Sequence, residues 1–134
     1  MTDAAEPVQR RVVVADDDAD IRALVAIAMR RAGITLVADV ASGDEAIIAI
    51  REHVPDIVIL DVSMPGMTGL DVTRQLRSDP TLDGIRVFLL SAGVTEAAIA
   101  AGKEAGADEY LIKPFSPREL AARISEAMAA WDKQ

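Results

Sequence analysis

Short runs of apolar residues, separated by longer amphipathic stretches, constrain the fold of this chain most strongly. Residues 12–15 and 57–60 contain only valine, isoleucine, leucine and alanine, with no polar residue in alternation. A strand with one face in water would alternate apolar and polar side chains, so these runs indicate strands that are covered on both faces. Such strands are typical of parallel sheets with helices on either side. The sequence therefore predicts an α/β fold.

Five predicted strands alternate with five predicted helices along the chain. Ser42 precedes the second helix and has Glu45 three residues later, which is the spacing of a capping box. Ser116 precedes the fifth helix and is followed by proline, a common first residue of helices. The predicted strands cover residues 11–15, 35–40, 56–60, 86–90 and 108–112. The first and fourth predicted helices cover about residues 19–32 and 95–105. The second helix is predicted to begin at residue 43, the third to end at about residue 77 and the fifth to begin at residue 117.

The order of the strands decides which residues meet. Right-handed crossovers limit that order, and the order 2-1-3-4-5 of one kind of doubly wound sheet makes the first and third strands neighbours. Asp16 and Asp17 directly follow the first strand, Asp61 follows the third, and Lys113 follows the fifth. Ligands of such sheets bind in the crevice at the carboxyl ends of the strands. With this order we expect the three carboxylates to share one site beside the Lys113 ammonium.

Three carboxylates close together repel one another, and a hard divalent cation would relieve that repulsion. Mg²⁺ is bound by one or two protein carboxylates together with water and phosphate oxygens, and Mn²⁺ is an alternative. Asp16 and Asp17 would hold the cation. Asp61 would be both a ligand and a nucleophile, because a carboxylate can attack a phosphoryl group to form an acyl phosphate. Phosphoryl transfer otherwise rests mainly on positioning and charge stabilisation.

Two further residues would respond to a phosphoryl group at this site. Ser91, at the end of the fourth strand, would offer its hydroxyl to a phosphoryl oxygen, and Lys113 would pair with Asp61 or with another phosphoryl oxygen. The phosphoryl group brings about two negative charges and would draw Ser91 towards it. Tyr110 could then pivot into the vacated space, which couples a local charge to a two-state element. The sequence thus predicts a phosphorylatable switch.

On these residues, the sequence resembles the receiver domains of two-component response regulators over about residues 11–130. The motifs that carry the resemblance are VVVADDDADIR, PDIVILDVSMPGMTGLDV, FLLSAG and GADEYLIKPF. The resemblance implies a flavodoxin-like (βα)5 fold with a doubly wound five-stranded parallel sheet, and a receiver domain at residues 10–132. It implies that Asp61 is the phospho-acceptor, that Asp16 and Asp17 are the acidic pair, and that the backbone carbonyl of Ser63 adds a metal ligand.

The same resemblance assigns the residues that respond to phosphorylation. Ser91 and Tyr110 match the two switch positions of the family. Lys113 matches its invariant lysine, and the Lys113–Pro114 peptide bond would be cis.

The family also implies a function and partners. The chain would accept its phosphoryl group from a sensor histidine kinase or a phosphotransfer protein. It would be a signalling protein and not an enzyme, assisting only its own phosphorylation and dephosphorylation. The surface of the fourth helix, fifth strand and fifth helix would dock a downstream protein, as in single-domain chemotaxis regulators. A receiver excised from a larger transcriptional regulator or hybrid kinase, and a phosphorelay intermediate, are alternatives, and phosphorylation-dependent homodimerisation stays open.

Composition excludes several classes of partner and site. The chain of 134 residues has a net charge of −8 and no basic run, which argues against direct binding to nucleic acid. It has no cysteine, so disulfides and thiolate metal sites are excluded. No apolar run is long enough to span a membrane, and we expect a cytoplasmic protein. Residues 1–9 are polar and predict a flexible tail.

Three other functions fit parts of the pattern. A magnesium-dependent aspartyl phosphohydrolase of the haloacid-dehalogenase type would place a second aspartate two residues after the nucleophile, where this chain has Ser63. A flavodoxin-type cofactor binder would need a phosphate-binding loop where this chain has Asp16 and Asp17. A constitutive interaction module would bind its partner without phosphorylation. Each of these residues taken alone also fits an ordinary structural role, and Asp18 or Asp20 is expected to be a helix N-cap.

Overall fold

The computed structural model of the protein describes residues 9–93 and 95–133. The predicted tail, residues 1–9, lies outside the described residues except for Gln9. Strands and helices alternate through the chain as β1 (Arg11–Ala15), α1 (Ala19–Ala32), β2 (Thr35–Val40), α2 (Gly43–His53), β3 (Ile57–Asp61), α3 (Gly69–Ser78), β4 (Arg86–Ser91), α4 (Glu96–Ala105), β5 (Glu109–Ile112) and α5 (Pro117–Asp132).

The strands form one parallel sheet in the order β2-β1-β3-β4-β5. This confirms the predicted α/β fold and the predicted strand order. Because β1 pairs directly with β3, Ala15 lies beside Leu60 at the carboxyl edge of the sheet. The residues that follow these two positions are therefore brought to one place.

The apolar runs are buried on both faces of the sheet, as their composition predicts. Alternate residues of β1, β3 and β4 point to opposite sides because side chains alternate along a strand. Val14, Ile59 and Phe88 pack with α1 and α5 in one hydrophobic cluster. Val13 and Val58 pack with α2 and α3 in a second cluster on the other face. Because helices cover both faces of the sheet, polar site residues can lie only at the ends of the strands.

The predicted boundaries of β3, β4 and β5 are each wrong by one residue. β3 begins and ends one residue later than predicted, at Ile57 and Asp61, and β4 ends one residue later, at Ser91. Asp61 and Ser91 belong to the strands because they pair with Leu90 and Ile112 in the adjacent strands. β5 begins one residue later than predicted, because the carboxylate of Asp108 accepts a hydrogen bond from a β4 amide at 2.8 Å. Two predicted site residues are therefore part of the sheet itself, which holds their backbones rigidly.

The helix starts follow the predicted capping residues. Asp18 is the N-cap of α1, and Ser116 forms a complete capping box at α5. At α2 the Ser42 hydroxyl accepts from the Glu45 amide at 3.2 Å, as the spacing predicts. The Glu45 carboxylate accepts from the backbone amide of Ala41 at 3.3 Å, so the reciprocal bond forms one residue earlier than in a capping box.

Arg77 at the end of α3 joins three parts of the chain far from the carboxyl edge. Its guanidinium donates to the carbonyl oxygens of Gly106, Asp83 and Ile85 at 2.9, 2.7 and 2.7 Å. It also donates to Asp108 Oδ2 at 3.0 Å. These bonds connect α3 with the start of β4 and with the loop before β5.

We expect the substitution Arg77→Met to destabilise the protein by about 3 kcal/mol, because it leaves partly buried carbonyl oxygens without their donor and removes one of the donors to the Asp108 carboxylate. Urea unfolding measures this loss. Arg74→Met on the same helix is the matched control, since Arg74 is exposed and its pair with Asp71 is a surface ion pair. An Arg77→Met variant as stable as the Arg74→Met variant would contradict the expectation.

Candidate functional site

Three carboxylates meet at the carboxyl edge of the sheet. Asp16 and Asp17 directly follow β1, and Asp61 is the last residue of β3. One carboxylate oxygen of each lies within 4.8 Å of those of the other two. Asp16 and Asp61 are 0% and 5% exposed, whereas Asp17 is open to solvent. The cluster therefore consists of two buried carboxylates and one carboxylate that is accessible to solvent.

Asp16 is held from two sides, by a backbone amide and by an ion pair. Its Oδ1 accepts a hydrogen bond from the Asp18 amide at 2.9 Å. Its Oδ2 lies 2.8 Å from the Lys113 Nζ, but this fully buried oxygen accepts no hydrogen bond of acceptable geometry from the described residues. A buried carboxylate oxygen without a hydrogen bond is costly. Coordination of a hard cation would satisfy it, so the donor set fits a divalent metal ion.

Lys113 places an ammonium group in this cluster. Its Nζ lies 2.8 Å from Asp16 Oδ2 and 3.2 Å from Asp61 Oδ1. Partial burial alone would lower the pKa of this ammonium, but the two carboxylates outweigh it and raise the pKa above its ordinary value. Lys113 is therefore charged. Three negative charges and one positive charge leave two negative charges, which one divalent cation neutralises.

Asp61 has a perturbed carboxyl group. Burial raises its pKa above the ordinary value of 3.8, and the neighbouring charge of Asp16 raises it further. Lys113 and a backbone hydrogen bond from Ser63 lower the pKa and offset part of the increase. Ionised Asp61 is thus held in a site that is unfavourable for its charge unless a counter-charge is added to that of Lys113.

This shift predicts how stability depends on pH when divalent cations are removed by a chelator. A carboxyl group whose folded pKa is raised binds more protons in the folded state, so stability falls as the pH rises through that pKa. We expect Asp61→Asn to be more stable than the wild-type protein at neutral pH. The difference should vanish as the pH falls below 3.8, the ordinary value. Thermal unfolding of both proteins across this range measures the effect.

The exposed carboxylate Asp83 supplies the control for that comparison, because Asp83→Asn makes the same chemical change at a surface position outside the cluster. Saturating Mg²⁺ should stabilise the wild-type protein more than the Asp61→Asn variant, since the cation would lose one ligand. An Asp61→Asn variant less stable than wild type at neutral pH without metal would contradict the expectation.

Ser91 and Tyr110, the two residues predicted to respond to a phosphoryl group, meet at Gly93. The Ser91 Oγ accepts a hydrogen bond from the Gly93 amide at 3.1 Å. The Tyr110 hydroxyl donates to the Gly93 carbonyl oxygen at 3.1 Å. Ser91 is nearly buried at the end of β4, next to β3 and Asp61 in the sheet. One residue of the loop after β4 thus links both side chains.

Two glycines allow close backbone contacts with the segment between β3 and α3, and the contact at Gly43 was not predicted from the sequence. A Cβ on Gly69 would lie 2.3 Å from the carbonyl oxygen of Asp61. A Cβ on Gly43, the first residue of α2, would lie 2.0 Å from the carbonyl oxygen of Met67. The backbone can approach this closely only where the side chain is absent. Both glycines directly follow an N-cap residue, Ser42 or Thr68, and that position in the sequence is the one available signal.

The remaining residues singled out in the sequence take these places. Ser63 is exposed in the loop after Asp61. The Lys113–Pro114 peptide bond is cis. Among the described residues, no helix is long and apolar enough to cross a bilayer.

Comparison with known proteins places this site in a family. The family model described as the response regulator receiver domain matches residues 12–125. The DNA-binding response regulator MtrA of Mycobacterium tuberculosis is 40% identical over 119 residues, which are 89% of this chain and 50% of that protein. The chain thus spans about half the length of the curated relatives it matches.

Solved structures agree in fold. The chemotaxis response regulator CheY4 of Vibrio cholerae has a TM-score of 0.83 at 28% identity, covering 90% of this chain and 99% of that one. A putative response regulator from Chloroflexus aurantiacus has a TM-score of 0.83 at 34% identity, covering 91% of this chain and 99% of that one. The family model spans the sheet from the second residue of β1 to the end of β5.

Proposed function

Because the chain belongs to the response regulator receiver domain family, we propose that it accepts a phosphoryl group on Asp61 in the presence of a divalent cation, with Mg²⁺ preferred and Mn²⁺ as an alternative. The observation that carries the proposal is the position of the Asp61 carboxylate. It is nearly buried, lies within 4.8 Å of two other carboxylates and is 3.2 Å from the Lys113 ammonium.

The residues of the site would have separate roles in phosphoryl transfer. Asp16, Asp17, Asp61 and the backbone carbonyl of Ser63 would hold the cation, which when bound neutralises charge on the phosphoryl oxygens. An oxygen of Asp61 attacks the phosphorus and forms the new O–P bond. The P–N bond of the donor phosphohistidine breaks, and its electron pair stays with the imidazole nitrogen. Lys113 stabilises the charge that develops on the phosphoryl oxygens.

The response to phosphorylation would begin at Ser91. A phosphoryl group adds about two negative charges beside it, and the Ser91 hydroxyl is a donor within the same edge of the sheet. Turning towards the phosphoryl group would break its hydrogen bond with the Gly93 amide. Gly93 also holds the Tyr110 hydroxyl, so the change would reach Tyr110 through one backbone residue.

Tyr110 connects this change with the surface formed by α4, β5 and α5. A groove of about 460 Å³ lies on that surface, and Tyr110 lines it together with Ile99, Lys103, Ile112 and Arg123. We therefore propose that a downstream protein docks here, and that a sensor histidine kinase or phosphotransfer protein supplies the phosphoryl group. The chain would assist only its own phosphorylation and dephosphorylation. We place this exchange in the cytoplasm, as the sequence predicts.

The relative MtrA is named as a DNA-binding protein, and this chain matches half of it. The domain itself carries a net charge of −8, so we propose that it does not contact nucleic acid directly. Whether phosphorylation also pairs two copies through the α4, β5 and α5 surface can be read from the oligomeric state before and after phosphorylation.

Intact-mass spectrometry tests the proposed phosphorylation. The protein is incubated with a small phosphodonor, with Mg²⁺ or with a chelator, as wild type, Asp61→Asn and the control Asp83→Asn. We expect one phosphoryl adduct on wild type and Asp83→Asn with Mg²⁺, and none on Asp61→Asn or without the cation. An adduct of equal yield on Asp61→Asn would contradict the proposal.

A further inference from the structure

Arg22 holds the backbone that carries two of the proposed metal ligands. It is the fourth residue of α1, and side chains of a helix point back towards its N-terminus. Its Nη1 donates a hydrogen bond of 2.7 Å to the backbone carbonyl oxygen of Asp16. Its Nε donates to Asp39 Oδ1 on β2 at 2.8 Å. One planar guanidinium thus joins α1, β2 and the residue that follows β1.

The Asp16 carbonyl needs a partner because it lies just beyond β1. The Asp16 amide still donates to the Val40 carbonyl of β2 at 3.1 Å. Its carbonyl oxygen lies past the last residue of the strand and instead accepts from Arg22. The Asp16 side chain is held separately, by Asp18 and by Lys113. Arg22 therefore acts on the backbone of Asp16 and not on its carboxylate.

The same bond sets the position of Asp17. The carbonyl of Asp16 and the amide of Asp17 belong to one rigid peptide plane, so fixing the carbonyl fixes the direction in which Asp17 leaves the strand. The Asp17 carboxylate is exposed, and the described residues give it no hydrogen bond or ion pair of its own. We propose that Arg22, oriented by Asp39, is a positioning residue that presets the Asp16–Asp17 peptide for divalent-cation binding. The inference rests on the proposed metal-dependent function.

If Arg22 acts through positioning, its removal should change the affinity for a divalent cation in the opposite direction from removal of its charge alone. A guanidinium near the site repels a divalent cation, so its removal should tighten metal binding if charge alone matters. If positioning dominates, its removal should weaken binding, because residues that orient metal ligands typically affect affinity tenfold or more. Lysine keeps the charge but lacks the planar fork that makes both hydrogen bonds. The sign of the change therefore separates the two effects.

The experiment measures the Mg²⁺ dissociation constant by titration calorimetry at fixed ionic strength. The variants are Arg22→Met, Arg22→Lys and Asp39→Ala, and the control is Arg30→Met, an exposed arginine in the last turn of α1. We expect Arg22→Met and Arg22→Lys each to raise the dissociation constant about tenfold, Asp39→Ala to raise it less, and Arg30→Met to leave it unchanged. The double variant Arg22→Met/Asp39→Ala should match Arg22→Met, because both residues act through one contact.

Unfolding in urea without metal identifies variants that are folded at the assay temperature. Should Arg22→Met unfold there, Arg22→Lys carries the test. Unchanged or tighter Mg²⁺ binding by folded Arg22 variants, with normal binding by wild type, would overturn this inference and leave the proposed function intact. A wild-type protein that binds no Mg²⁺ would overturn both.

Discussion

Replacing Lys113 with methionine should slow phosphorylation of the protein by a small phosphodonor about 10²-fold, the typical cost of removing one charge-stabilising donor from an active site. The Lys113 ammonium lies 3.2 Å from Asp61 Oδ1, where the transferred group would arrive. Methionine is unbranched and only one atom shorter than lysine, but it carries no charge. The initial rate of adduct formation by intact-mass spectrometry measures the effect, and Lys103→Met, an exposed lysine on α4, is the control.

The affinity for Mg²⁺, unlike the rate of phosphorylation, should not fall in the Lys113→Met variant. The ammonium now pairs with Asp16 and Asp61, and so competes with a cation for the same oxygens. We expect Mg²⁺ to bind the Lys113→Met variant at least as tightly as wild type. Without metal, the variant should be less stable, because buried carboxylates lose their counter-charge. Phosphorylation of Lys113→Met at the wild-type rate would contradict the role given to this lysine.

Replacing Gly43 with alanine should destabilise the protein by about 3 kcal/mol, through overpacking of a site with no space for a methyl group. Alanine in place of glycine normally stabilises a helix by up to about 1 kcal/mol, so helix propensity alone predicts the opposite sign. The steric effect should dominate, because the new Cβ would lie 2.0 Å from the backbone carbonyl oxygen of Met67. Backbone cannot move aside as a flexible side chain can.

Gly84→Ala is the matched control for that substitution. A Cβ on Gly84 would meet no atom within 4 Å, so this variant should be as stable as wild type or slightly more stable. Urea unfolding of both variants gives the comparison. Equal stability of Gly43→Ala and wild type would show that α2 does not pack against the loop before α3 as described.

The site could be predicted from the sequence because its residues directly follow the apolar runs. Asp16 and Asp17 end one such run, and Asp61 ends another. The general rule that parallel crossovers are right-handed leaves few strand orders, and the order β2-β1-β3-β4-β5 makes those two strands neighbours. Local sequence thus predicted the strands, and topology then brought their ends together.

Contacts between distant elements could not be predicted in the same way. The close approach of Gly43 to the carbonyl of Met67 depends on how α2 packs against a loop, and hydrophobic periodicity contains no such distance. The bond from Arg22 to the Asp16 carbonyl depends on the direction of a side chain within α1. The strand boundary at Asp61 was missed because an aspartate ends an apolar run, although its backbone still pairs with β4.

Chemical trapping of the phosphorylated residue tests the central claim most directly. The protein is phosphorylated with Mg²⁺ and a small phosphodonor and then treated with sodium borohydride, which reduces an acyl phosphate and converts that aspartate to homoserine. Peptide mass spectrometry locates the homoserine. We predict it at position 61 alone. Homoserine at position 16 or 17, or a phosphoryl group that resists reduction, would contradict the assignment of Asp61 as the phospho-acceptor.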